Sequence, residues 1–310
     1  MKRASSILIV FCLLFMLSLP ASATPSEPDS DYYDFSALYA DGILVKSVSI
    51  NEYDAFVQLQ NSSSSALQSR GYSNQEIKIL RETSYEDLLL ERATMTTEEL
   101  AALGYDSKAI AILHAYDGTP LSENPEVRSI LATFTGDISV VQKSYSMITT
   151  KLEWSWSSQP LVTGLLITDI VGCGFQGTNT ANLPCTVELR DAGTYNIVYY
   201  YTNTSDYLGL TMPEIDDNDP TASVTSTVPT KDTVNYNIGW AKEGIFVVSI
   251  QEYSPNNDLY GAVFAYGFGH VSVDIDATAS LDFIHREGSI DFDFGLTTTE
   301  EFAETVRVKN

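Results

Sequence analysis

The chain has 310 residues, with 17 Lys and Arg against 41 Asp and Glu, which gives a formal net charge of −24 at pH 7. Binding to nucleic acid needs clusters of Lys and Arg that neutralise phosphates, and so acidic a chain repels both nucleic acid and anionic lipid. The composition therefore excludes a nucleic-acid-binding protein. The length suffices to bury a sizeable core, in about two domains.

The first 23 residues have the pattern of a signal peptide. Lys2 and Arg3 make a short basic start, residues 7–19 form an apolar run, and residues 21–23 are the small residues that signal peptidase reads. The apolar run is too short to span a bilayer comfortably, which takes about 20 residues. We therefore expect a secreted or cell-wall-associated protein with no integral membrane segment in its mature form. A retained N-terminal anchor is the alternative.

Residues 24–62 are interpreted as an acidic leader that ends in a short helix. The leader is rich in Pro, Ser and Tyr, and Asn51 near its end can cap a helix that carries Phe56 and Leu59. A polar spacer of serines follows this helix and separates it from the next part of the chain.

Residues 63–136 are predicted to form a helical domain, because they contain two copies of one helical hairpin unit. Gly71 and Tyr72 of the first copy recur as Gly104 and Tyr105 in the second. Glycine readily adopts the left-handed conformation that ends a helix, and a Ser, Thr or Asp after it can cap the next one. The predicted caps are Ser73, Ser84, Thr96 and Asp106. Two copies are too few for a solenoid, so the prediction is a small helical bundle.

Residues 137–310 have the two-residue period of β-strands. Trp154 and Trp156, for example, alternate with polar residues, and turn residues separate such stretches. This pattern predicts an antiparallel sandwich or barrel. The fold class is accordingly α+β and multi-domain, with a small N-terminal helical bundle followed by an all-β antiparallel sandwich or barrel.

Cys173 and Cys185 are the cysteines that remain after the predicted signal peptide, and they are candidates for a disulfide. Outside the cytosol a pair of cysteines is more often bonded than free. A bond across so short a loop would stabilise the fold by about 3 kcal/mol.

Five aromatic residues of the β-rich part are the candidate binding residues. They are Trp154, Trp156, Tyr199, Tyr201 and Trp240. Exposed together on one sheet face, they would form a platform on which sugar rings stack, so the predicted partner is a cell-surface glycan or a protein. The alternative is that these side chains fill the core, because aromatic residues also favour strands and interiors.

The sequence predicts no catalytic, cofactor or metal site. Residues 172–177 match a dinucleotide-binding glycine pattern, but no helix follows to hold a pyrophosphate. The three histidines lack the spacing of zinc ligands. Residues 214–219 are acidic without the fixed ligand spacing of an EF-hand, and weak Ca²⁺ binding stays open there as an alternative.

Residues 152–156, with the sequence Leu-Glu-Trp-Ser-Trp, are followed by Pro160 and Asp169. This run resembles a pattern in uncharacterised exported proteins of Gram-positive bacteria, and the helical Gly-Tyr units before a β-rich half are similar to the same group. The resemblance implies export but no activity, substrate or site.

These observations favour a secreted or cell-wall-associated, non-enzymatic protein whose β-rich part binds a glycan or protein partner. The alternative is a secreted hydrolase with a site assembled from residues that are distant in the sequence.

Overall fold

The structure is a computed structural model, and all the residues that it describes belong to one unit spanning residues 35–310. The described residues are 41–69, 74–144, 146–162, 168–181, 183–201, 204–207, 223–229, 231–234, 237–253, 259–271, 281–286, 289–294 and 298–309. The predicted signal peptide and the first Gly-Tyr pair lie outside them. None of the helices in this part of the chain has the length and hydropathy needed to span a bilayer.

The described chain starts with a strand, β1 (Ile43–Asn51), and then forms a series of short helices. They are α1 (Glu52–Asn61), α2 (Ser64–Ser69), α3 (Asn74–Glu82), α4 (Tyr85–Ala93), α5 (Thr97–Ala102), α6 (Ser107–His114) and α7 (Pro125–Arg128), with a 3-10 turn at Leu121–Glu123 before α7.

The elements after the helices are strands. They are β2 (Thr133–Lys143), β3 (Met147–Trp156), β4 (Thr168–Thr178), β5 (Pro184–Cys185), β6 (Val187–Tyr201), β7 (Thr204–Tyr207), β8 (Ser223–Pro229), β9 (Lys231–Val234), β10 (Asn237–Glu252), β11 (Gly261–Val271), β12 (Leu281–Arg286), β13 (Ser289–Phe294) and β14 (Thr298–Lys309). Helices together with antiparallel sheets confirm the predicted α+β class.

Four of the five predicted side-chain caps start helices in the described chain, and the fifth, Ser73, lies outside the described residues. Asn51, Ser84 and Asp106 each accept a hydrogen bond from a backbone N–H in the first turn of α1, α4 and α6. Thr96 and Glu99 form a reciprocal capping box at α5. These bonds satisfy N–H groups that have no partner within the helix, which is why short polar side chains mark the helix starts.

Two sheets contain most of the strands. The large sheet has the order β1-β2-β3-β10-β6-β7, and β9 also pairs with β10. The second sheet has the order β14-β11-β4-β5, and β8 also pairs with β4. Neighbouring strands in both sheets are antiparallel. Strands β12 and β13 form a separate two-stranded sheet.

One hydrophobic core lies between the two sheets. The large sheet contributes Phe134, Ile138, Ile148, Leu152, Trp154, Trp156 and Phe246, and the second sheet contributes Val171, Cys173, Phe175, Phe264, Tyr266 and Phe268. The rings of Phe134 and Trp154 lie 4.6 Å and 5.1 Å from the ring of Phe268 on the opposite sheet. Contacts of this kind exclude water from the space between the sheets.

The helices are inserted between two neighbouring strands of the large sheet. Strand β1 precedes them and pairs antiparallel with β2, which follows them. Residues 43–51, which the sequence analysis assigns to the leader, are therefore a sheet strand, and the predicted boundary at residue 136 falls inside β2. The pairing joins residues that are far apart in the sequence, so no local pattern indicates it.

The helices have a hydrophobic cluster of their own. It contains Tyr85, Leu89, Leu100, Tyr105, Ile110 and Leu113, with Leu161 and Val162 from the chain after β3 packed against it. The helical segment thus packs on the chain that leaves the large sheet.

A pair of hydroxyl groups crosses the core between the sheets. Thr150 Oγ1 on β3 and Tyr266 Oη on β11 lie 2.6 Å apart, and both side chains are fully buried. Burial raises the pKa of Tyr266 well above its usual value, so this hydroxyl stays protonated at neutral pH.

We expect Tyr266→Phe to lower the free energy of unfolding by about 1–3 kcal/mol, because the buried Thr150 hydroxyl loses its partner. Introducing Thr150→Val into the Tyr266→Phe variant removes the second polar group as well. It should therefore lower the free energy of unfolding much less than Thr150→Val does in the wild type. Urea unfolding of the two single variants and the double variant measures this coupling. Strictly additive losses would show that the hydroxyl pair contributes nothing.

Candidate functional site

The tryptophans of the predicted aromatic platform lie inside the protein. Trp154 and Trp156 are each 2% exposed and Trp240 is 4% exposed, and all three belong to the core between the sheets. Side chains buried in this way cannot stack on a ligand at the surface, so the core-filling alternative describes them. Tyr199 and Tyr201 lie in β6, where they pair with Ala241 and Thr204; their side chains lie outside the described part.

The predicted disulfide is not formed, and both cysteines are free. Cys173 points into the core from β4, whereas Cys185 on β5 pairs with Gly177, further along β4. At about 3.3 Å per residue, Gly177 is roughly 13 Å along the strand from Cys173. Disulfides need Cα atoms about 4.4–6.8 Å apart, so the sheet register keeps the two thiols separate.

A buried arginine holds the chain after β3 against the helices. Arg92 on α4 is 7% exposed, and its guanidinium donates to the carbonyl of Gln159 at 2.7 Å and of Pro160 at 3.3 Å. It also donates to the hydroxyl of Tyr105 at 3.3 Å. The backbone of Gln159 donates in turn to the carbonyl of Leu103 at 2.8 Å. These bonds fix the position of residues 159 and 160 relative to α4 and α5.

A buried glutamate also holds the chain after β3 against the helices. Glu52, the first residue of α1, is 2% exposed, and its carboxylate accepts hydrogen bonds from the backbone N–H groups of Leu161 at 2.8 Å and Val162 at 2.7 Å. It also accepts from the hydroxyl of Tyr85 at 2.9 Å. Burial and this carboxylate raise the pKa of Tyr85 well above its usual value, so the hydroxyl remains a donor.

A close contact joins the end of α5 to the large sheet. The indole N–H of Trp240 donates to the carbonyl of Ala102 at 3.2 Å. Gly104 follows with a φ of +89°, the left-handed conformation predicted for it. A Cβ at Gly104 would lie 3.0 Å from the Trp240 ring and 3.3 Å from the Cα of Ser158, so this approach requires glycine.

A cleft of about 340 Å³ opens where these elements meet. It lies between the start of α6 and the adjoining ends of β2 and β3, and we call it the helix–sheet cleft. Its polar lining residues are Asp106, Lys108, Ser129, Thr133, Ser157 and Ser158. Among its apolar lining residues, Leu131 and Ala109 are buried, and Gly104 and Tyr105 also border it.

The serine side chains of the helix–sheet cleft differ in whether they already form hydrogen bonds within the protein. Ser157 Oγ accepts from the backbone N–H of Thr133 at 2.9 Å, and Ser129 Oγ donates to the carbonyl of Glu126 at 2.7 Å. Ser158 is 3% exposed, and within the described part of the chain its hydroxyl oxygen has no hydrogen-bond partner. The wall of the cleft therefore contains one buried polar group whose hydrogen-bonding capacity is unused.

A second, more apolar cleft of about 420 Å³ lies on the other side of α6. Its lining includes Ala111, Ile112, Ala115 and Val127. Lys108 borders both clefts.

The described residues contain no group of three or more His, Cys, Asp or Glu placed to hold a metal ion. His114, at the end of α6, has its Nε2 atom 2.9 Å from the carbonyl oxygen of Met95. The acidic stretch 214–219, where weak Ca²⁺ binding was the alternative, lies outside the described residues.

Sequence reasoning did not single out Ser157 and Ser158 as site residues. Polar residues commonly follow a strand, and the sequence does not show that Ser158 is buried with Gly104 packed against its backbone. Asp106 was predicted as a helix cap, which it is, but its place beside these serines depends on how the helices sit on the sheet.

No protein-family model matches the chain, and no curated protein matches it. Among solved structures, the collagen-binding domain from a Staphylococcus aureus adhesin aligns with 56% of this chain and 95% of that domain, at 10% identity and a TM-score of 0.27. A structure described as "AvmM Catalyzes Macrocyclization in Alchivemycin A Biosynthesis" aligns with 56% of this chain and 89% of its own, at 7% identity and a TM-score of 0.24. Similarity this low supports no conclusion about fold or function.

We expect Glu52→Gln to lower the free energy of unfolding by about 2 kcal/mol or more, because an amide NH₂ replaces an oxygen that accepts buried hydrogen bonds. Glu82→Gln is the matched control, since Glu82 forms only an exposed ion pair with Lys78, and it should leave stability unchanged. Urea unfolding measures both variants. Equal stability of Glu52→Gln and the wild type would contradict the structural role of this carboxylate.

The thiols should react in a fixed order. Burial raises the pKa of Cys173 well above its usual value and raises that of Cys185 less, so both are protonated at neutral pH. A thiol-specific reagent should modify the half-buried Cys185 slowly in the native protein and reach Cys173 only after unfolding. Mass spectrometry of the labelled peptides identifies the sites. Absence of both thiols in unfolded, unreduced protein would indicate a disulfide.

Proposed function

We propose that this chain is an exported, non-enzymatic binding protein, secreted or held at the cell wall, that binds its partner through the helix–sheet cleft. In this proposal the two sheets act as a β-sandwich that supports a small helical bundle. The signal-peptide pattern of the first 23 residues and the net charge of −24 support export and solubility outside the cell.

The observation that carries the proposal is a polar cleft whose walls are fixed by hydrogen bonds. One wall, at Gly104, is held to the large sheet through the Trp240–Ala102 hydrogen bond. The adjoining wall, at Ser157, is held to β2 by hydrogen bonds in both directions with the Thr133 backbone. A site formed before binding loses less conformational entropy when its partner arrives, which favours binding.

The size of the cleft indicates what kind of group enters it. Ligand pockets in proteins measure about 300–1,000 Å³, so a cleft of about 340 Å³ is at the small end of that range. It suits one projecting unit of a larger partner, such as a terminal sugar of a glycan or one side chain of a protein.

The cleft can be tested without knowing the partner. Amide chemical shifts of the isotopically labelled, purified chain would be followed during titration with a library of small polar fragments: monosaccharides, amino acids, nucleosides and dicarboxylic acids. We expect the perturbed amides to cluster at residues 104–109, 129–133 and 157–158. Ser129→Trp should abolish these shifts by filling the mouth of the cleft, because Ser129 is an exposed lining residue.

Ser122→Trp is the matched control, since Ser122 is also exposed, in the 3-10 turn, and does not line the cleft. It should keep the wild-type shifts. The proposal fails if no fragment perturbs the cleft amides, or if Ser129→Trp and Ser122→Trp behave alike. Turnover of an ester or glycoside that Ser129→Trp abolishes would instead favour the secreted hydrolase.

A further inference from the structure

One edge of the large sheet is formed by β1, and the first half of this strand is exposed. β1 is the last strand on its side of the sheet, and in the described chain it pairs only with β2. Residues 43–47 are exposed, whereas Val48 further along the strand packs against the core. We call residues 43–47 the β1 edge.

The β1 edge exposes three consecutive aliphatic side chains. Ile43 is 71% exposed, Leu44 is 58% exposed and Val45 is 43% exposed. Single exposed apolar residues are ordinary in soluble proteins. A continuous run on the end strand of a sheet is different, because it presents apolar surface together with backbone N–H and C=O groups, and another strand can bind to that combination.

The charge of the β1 edge differs from that of the whole chain. Residues 42–51 contain Lys46 and no Asp or Glu, whereas the chain has a formal net charge of −24. The end strand of the second sheet, β14, contains three glutamates. Two copies of so acidic a protein repel each other where carboxylates meet. At the β1 edge they can pair without placing carboxylates of the two strands opposite each other.

Two copies of the β1 edge are complementary to each other in an antiparallel pair. A twofold axis places the same strand of both copies side by side, so each copy supplies the strand that the other lacks. The ladder between β1 and β2 passes over Val45, because Leu44 pairs with Ser139 and Lys46 with Ile138. Such a bulge increases the local twist and keeps the paired stretch short, so we expect a reversible dimer.

We infer that two copies of this chain associate through their β1 edges and form a sheet that continues across the dimer. Asn51, at the other end of β1, pairs with Thr133 of the helix–sheet cleft, about 26 Å along the strand from Ile43. The contact therefore lies away from the cleft, and the inference stands or falls independently of the proposed function.

Sedimentation velocity of the purified chain, from micromolar to submillimolar concentration, measures the association. We expect a reversible change from the mass of one chain to the mass of two. Val45→Lys should raise the dimer dissociation constant by about tenfold or more, because the twofold axis brings two added charges close together and close to Lys46 of both copies. Ile79→Lys is the matched control, since Ile79 on α3 is also 43% exposed, and it should leave the dimer unchanged.

A mixture of oppositely charged variants identifies a second copy as the partner. Val45→Glu should also weaken self-association, whereas an equimolar mixture of Val45→Glu and Val45→Lys should form a heterodimer that is tighter than either homodimer. Thermal unfolding at low concentration should be the same for these variants and the wild type, since Val45 is exposed in the single chain. This control separates a lost contact from a lost fold.

Salt gives an independent check on the same dimer. Salt screens the repulsion between two acidic copies, so the dimer should tighten as the NaCl concentration rises from low to physiological. A dimer that weakens with salt would depend on ion pairs and would contradict the inference.

Three further results would overturn the inference. If the wild type stays monomeric at submillimolar concentration, a second copy is not the occupant, and a strand of a different protein becomes the candidate. If Val45→Lys and Ile79→Lys weaken the dimer equally, or if the mixed variants associate no better than each alone, another surface holds the copies together.

Discussion

Much of this structure depends on the hydrogen bonds of Glu52, at the point where the chain leaves the large sheet. Its backbone N–H donates to the carbonyl of Ala132, which brings the two ends of the helical segment together at the sheet. Its carboxylate holds the N–H groups of Leu161 and Val162, so the chain after β3 is tied to the same point. The helices are short, and isolated helices of such length are marginal in water. Their stability therefore comes from this attachment and from the hydrophobic cluster that it positions.

Buried charge in this protein also determines geometry. A charged group that loses water is costly unless hydrogen bonds replace the water, and replacing such groups with apolar ones is often neutral or stabilising. Glu52 and Arg92 are both satisfied mainly by backbone groups of residues 159–162. Backbone groups have fixed directions, so these bonds determine where the chain after β3 runs. That path places Ser158 against Gly104 and creates the helix–sheet cleft.

The aromatic residues show why a strand pattern does not reveal a binding surface. Trp154 lies inside the core, and its indole covers Gly244 on the neighbouring strand, where a Cβ would lie 2.6 Å from the ring. A glycine in the middle of a strand usually weakens it, and here it makes room for a large ring. The period of two predicts that Trp154 and Trp156 share a face. It does not say whether that face is turned to the other sheet or to water.

The sequence by itself determined the elements whose causes are local. Asn51, Ser84, Thr96 and Asp106 start helices because a short polar side chain satisfies free N–H groups next to it, and Gly104 ends one because only glycine adopts φ of +89° without strain. The tertiary structure decided the features that join distant residues: the pairing of β1 with β2, the separation of Cys173 from Cys185, and the buried hydroxyl of Ser158. Sheet register and burial depend on which segments meet in space, and residues that are adjacent in the sequence do not indicate which segments these are.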